Sequence, residues 1–91
     1  MGNKNISLAP VVGLVKQKIC FRECAKLIKI AEETGCRISI TAGSRKGSTD
    51  SLLSLVQLEL TPGRTVVLSA SEASAARAYR DCLRVLDGEA A

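Results

Sequence analysis

Histidine and tryptophan are both absent from this 91-residue chain, and its aromatic side chains are one phenylalanine and one tyrosine. Without histidine the chain can form no phosphohistidine, and a zinc site would have to be built from thiolates and carboxylates. The four cysteines do not offer one, because Cys20 and Cys24 stand four apart, away from the C-x2-C knuckle spacing. Without interleaved aromatics there is nothing for nucleobases to stack on, which argues against a nucleic-acid partner. No segment reaches the ~18 consecutive apolar residues of a membrane span. Met1 to Asn5 lacks the charged-then-apolar pattern of a secretory signal, so the expectation is a cytoplasmic protein with no membrane insertion. In that reducing setting the four cysteines are expected as free thiols, not as a disulfide framework. No P-loop, G-x-S-x-G or zincin motif is present, and no cofactor is implied.

What is present is one aliphatic domain. Apolar residues make up 46 % of the chain, enough for a core of Val, Leu, Ile and Ala. The net charge is +4, and five of the thirteen basic residues, Lys16, Lys18, Arg22, Lys26 and Lys29, crowd into one stretch. Such a patch suits an anionic ligand or an acidic partner surface, although a solvated helix face accounts for it equally well.

Residues 1–9 are polar and irregular, a lead-in; residues 10–88 form the domain, and 89–91 a short tail. Val11 to Val15 is a β-branched run bounded by Pro10 and by Lys16-Gln17-Lys18, hence a strand. From Phe21 to Thr34 the period becomes 3.6, with Cys24, Leu27, Ile28 and Ala31 on one face and Gly35 in the C-cap position. Arg37 to Thr41 alternates as a half-buried strand. Gly43 to Gly47 reads as a turn, with Ser48-Thr49 the stub of a returning strand. Ser51 stands before the apolar run Leu52 to Leu58, a short helix with Ser51 at its N-cap, closed by Pro62-Gly63. Thr65 to Ser69 is the strongest strand. Ser71, followed by Glu72, can cap a last helix whose buried stripe is Ala75, Ala78, Tyr79, Cys82, Val85 and Leu86, ended by Gly88. The order β-α-β-β-α-β-α with short connections predicts an α+β open-faced sandwich. It has a four-stranded antiparallel sheet with three helices on one face, and Val66 and Leu68 pointing inward.

Particular residues carry a resemblance. Asp50-Ser51-Leu52-Leu53-Ser54-Leu55, then Leu58-Glu59-Leu60-Thr61-Pro62-Gly63, then Thr65 to Ser69, resemble the K-S-(L/I)-(F/M) segment, the L-G-L-x-x-G turn and the following strand of HPr. HPr is the phosphocarrier of the bacterial phosphoenolpyruvate:sugar phosphotransferase system. The family's G-L-H-x-R-P-A motif, whose histidine takes the phosphoryl group, falls in ungapped register on Lys18-Ile19-Cys20-Phe21-Arg22-Glu23-Cys24. Cys20 then takes the histidine's place, Arg22 matches the arginine and Glu23 replaces the proline. A competing register puts Gly13-Leu14 on the motif's G-L and Val15 on the histidine, at the cost of an insertion before the helix.

The resemblance implies a carrier or regulator, a stoichiometric substrate of its partners and not a turnover enzyme. Those partners would be enzyme I, enzyme IIA or a regulatory protein, and the carrier would be monomeric. It implies docking through the first two helices at Arg22, Ala25, Lys29, Leu53 and Val56, and a regulatory phosphorylation site at Ser51. Capping alone also explains a serine there. For Cys20, a helix N-terminus with Lys18 and Arg22 nearby favours negative charge and so a thiolate able to accept phosphate, while Glu23 opposes a phosphate beside it. Redox sensing and an inert role are the alternatives, within a non-catalytic interaction module on the same scaffold.

Overall fold

The structure, a computed structural model, describes residues 10–70 and 75–88. Its elements run β1 (Val11–Leu14), α1 (Phe21–Thr34), β2 (Ile38–Ala42), β3 (Arg45–Ser48), α2 (Leu52–Val56), β4 (Thr65–Ala70) and α3 (Ala75–Asp87). The expected element order is found, and α1 has the expected bounds. The lead-in, the tail and the Ser71–Glu72 capping site all lie outside the described residues.

The four strands form one antiparallel sheet in the order β1-β4-β2-β3, so β4 returns between β1 and β2. Register puts Gly13 opposite Val66, Leu68 opposite Ile40, and Ile40 opposite Gly47. Because side chains alternate across the pleat, these residues share one face. Ile38, Ile40, Val66 and Leu68 are fully buried there, beneath Leu27 of α1, Leu55 of α2, and Cys82 and Leu86 of α3. Val66 and Leu68 point inward as expected. On the opposite face Val12 and Leu14 are exposed, the signature of a single-sided sandwich.

One expectation needs correcting. The turn after β2 is not the five-residue segment Gly43 to Gly47: Ala42 pairs with Arg45, leaving Gly43-Ser44 as a two-residue loop with Gly43 at φ 62. Gly47 lies within β3, paired with Ile40, and α2 presses on it. A Cβ at that position would meet the Ser54 carbonyl oxygen at 2.9 Å and Leu58 Cδ1 at 3.0 Å. The glycine serves close approach, not chain reversal. The segment between α2 and β4 brings Leu58 and Leu60 both into the core, with Glu59 between them at φ 51.

Candidate functional site

The loop between β1 and α1 is clamped along its length. Val15 N–H donates to the Arg64 carbonyl and Lys16 N–H to the Leu86 carbonyl, both at 2.8 Å, while Ile19 N–H donates to the Leu60 carbonyl at 3.0 Å. Lys16 also pairs with Asp87 at 2.9 Å, and the Gln17 carboxamide donates to the Val85 carbonyl at 2.7 Å. Val15 and Ile19 are both buried, so the loop is pinned at each end and the next residue is delivered to the surface.

That residue is Cys20, the N-cap of α1, in extended conformation and exposed. Its backbone N–H donates to Glu23 Oε1 at 2.9 Å, the N3-to-N-cap half of a capping box. This hydrogen bond, with Glu23's own N–H and the charges of Lys26 and Arg22, holds the Glu23 carboxyl below its ordinary value. The mouth of α1 therefore carries an ionised carboxylate supplied by the chain itself. The other three thiols are buried. Burial, with Glu23 and Cys20 adding to it, pushes Cys24 up to about 11. Burial, helped by Asp81 and Cys36, pushes Cys82 up to about 12. Both are core side chains, as their place in the apolar stripes predicts.

Arg22, Ala25 and Lys29 are exposed on α1. α2 packs against α1 and exposes 65 % of Leu53, whereas Val56 is half-buried against the core. Phe21, at the first position of α1, is 64 % exposed. It escaped the sequence reading, and the available signal was its place outside the stripe Cys24-Leu27-Ala31. Among the described helical residues, Phe21 and Leu53 are the large apolar side chains left in solvent.

Ser51 is exposed and is the N-cap of α2, its hydroxyl accepting from Ser54 N–H at 3.2 Å. The start of α2 is locked further: Ser54 Oγ accepts from Ser48 N–H at 3.0 Å and donates to the Ser51 carbonyl at 2.8 Å. At the other end Arg45 donates to the Gln57 carbonyl at 2.9 Å, fixing a five-residue helix too short to hold itself.

Among known proteins, solved phosphocarriers share this architecture. HPr-C-His from Thermoanaerobacter tengcongensis superposes with a TM-score of 0.74 at 19 % identity, covering 91 % of this chain and 99 % of that one. The histidine-containing phosphocarrier protein of a Mycoplasma gives 0.70, also at 19 % identity, with 85 % and 90 % covered. No curated protein matches the sequence. The family described as "PTS HPr component phosphorylation site" matches over residues 15–87. The fold is that of the HPr phosphocarriers, and the match spans nearly the whole of it. The chain belongs to the HPr family. Among the described residues, no helix is long and apolar enough to cross a membrane.

Proposed function

We propose that this protein acts in the sugar phosphotransferase system or its regulation, docking partner proteins through α1 and α2 and presenting Cys20 where the family presents its phospho-accepting histidine. The observation that carries the reading is the contrast between the two registers. Val15 is 0 % exposed in the core, whereas Cys20 is an exposed side chain at the head of α1, with the motif arginine matched by Arg22 two residues on. A phosphoryl acceptor has to be reached by its donor, and only Cys20 meets that condition.

The transfer is a displacement at phosphorus. The Cys20 sulfur forms an S–P bond as the donor's bond to the phosphoryl group breaks, and the donor atom leaves with the electron pair. Arg22 and Lys18 supply positive charge for the transferring group, which is the main service a protein renders phosphoryl transfer. Phe21, Ala25, Lys29, Leu53 and Val56 form the partner surface, for enzyme I, enzyme IIA or a regulator, and Ser51 is a candidate regulatory phosphorylation site.

Glu23 supports a second reading, an interaction module in which phosphotransfer has lapsed. Its carboxylate already provides an anion at the mouth of α1 and would repel an incoming phosphate. Incubation with enzyme I and phosphoenolpyruvate, followed by site-resolved mass spectrometry, separates the two. Phosphate on Cys20 supports the carrier. Binding of enzyme I without phosphate supports the module, and no binding removes the carrier.

A further inference from the structure

Away from Cys20, α1 and α3 pack side by side and leave a groove of about 580 Å³ between them. One wall carries Lys26, Lys29 and Glu33 of α1, and the other Arg77, Arg80 and Asp81 of α3, with Arg84 further along. Both rows follow helical spacing, so the cations of each helix lie along one side of it. Asp81 is engaged by Arg77 at 3.7 Å, and none of Lys26, Lys29 and Arg80 forms an ion pair with another described residue. Cations on facing helix walls repel one another, and the two carboxylates present leave the groove strongly positive. Ile30 and Val85 give it an apolar floor. The Gln17 carboxamide borders it, held by its bond to the Val85 carbonyl.

From this arrangement we propose that the α1–α3 groove binds a compact, water-soluble anion bearing two or more phosphoryl groups. Its volume lies within the ~300–1,000 Å³ range of small-molecule sites. Arginine and lysine from two walls can each take a separate phosphoryl group, and binding relieves the repulsion between the walls. The absence of aromatic side chains from the lining removes any platform for nucleobases. The site is independent of phosphotransfer. It shares Lys29 with the proposed docking surface, whereas Lys26, Arg77 and Arg80 are its own.

The test is calorimetric titration of the full chain with tripolyphosphate at constant ionic strength. Comparison arms use an acidic glutamate decapeptide and phosphatidylcholine vesicles containing phosphatidic acid. The expected result is saturable one-to-one binding of tripolyphosphate, weakened about tenfold by Lys26→Gln or Arg80→Gln, the lower end for a hydrogen bond to a charged group. Lys46→Gln, on β3 and outside the groove, should leave binding within about twofold. Both groove variants should melt no lower than the parent without ligand, since each removes a repulsive charge. Absence of saturable binding overturns the proposal. Equal affinity in K26Q, R80Q and K46Q, preference for the decapeptide, or binding to vesicles alone would also overturn it.

Discussion

Replacing Glu59 by glycine should stabilise this protein, which is the rarer direction for a substitution. Glu59 sits at φ 51 between the buried Leu58 and Leu60, and it is the one described non-glycine residue with positive φ. In the resemblance to HPr it stands where the family's L-G-L turn has its glycine. A left-handed conformation costs a residue with a Cβ about 1–2 kcal/mol. Glycine removes that strain but adds roughly 0.5–1 kcal/mol of freedom to the unfolded chain. The glutamate side chain is exposed and forms no ion pair with a described residue, so little else is lost. At the midpoints of these two ranges the balance favours E59G by about 0.75 kcal/mol, a rise in Tm of roughly 3–6 °C for a domain of this size. Differential scanning calorimetry of the parent, E59G and Glu59→Ala checks it. Alanine keeps the Cβ and so should gain nothing. A fall in Tm for E59G, or an equal rise for E59A, would refute the argument from backbone strain.

Four further outcomes follow from the same packing. Gly47→Ala should cost about 1–3 kcal/mol as overpacking against the Ser54 carbonyl and Leu58, measured by urea titration; an unchanged midpoint would mean that α2 does not press on β3. Leu68→Ala, at a fully buried position in the central strand β4, should cost ~2–5 kcal/mol and bring the domain near unfolding. Alkylation at pH 7 should label Cys20 first, with Cys24, Cys36 and Cys82 reacting only on opening of the fold; labelling of Cys36 before Cys20 would end the case for a functional thiol. The folded protein holds the protons of Cys24 and Cys82 above the ordinary thiol value of 9.0, so their contribution is complete below about pH 9 and is lost as pH rises through about 11 and 12. Cys82→Ala should therefore flatten the alkaline fall in stability, and an unchanged slope would contradict that assignment.

Residues whose roles are local were readable from the chain. α1 shows its apolar period, and Gly35 at φ 65 ends it where a left-handed cap is required. Cys24 and Cys82 sit in the core because their stripes put them there. Roles that depend on a second element were not readable. Gly47 beside Arg45 and Lys46 looks like turn material until α2 is seen lying over it. The basic run of α1 was visible as charge. Its counterpart, Arg77 and Arg80, lies about fifty residues away and becomes relevant only when α3 packs beside α1. Glu23 was legible as a charge near the site, but its hydrogen bond to Cys20 N–H emerged from the capping geometry.

The most direct test of the central claim is phosphoryl transfer itself. The protein, Cys20→Ala and Glu23→Gln would each be incubated with enzyme I and phosphoenolpyruvate at neutral pH, and followed by intact mass and peptide mapping. The account predicts one phosphoryl group on Cys20 of the parent, none on C20A, and faster accumulation on E23Q, where the opposing carboxylate is gone. Phosphate retained by C20A, or none on parent and E23Q alike, would contradict Cys20 as the acceptor.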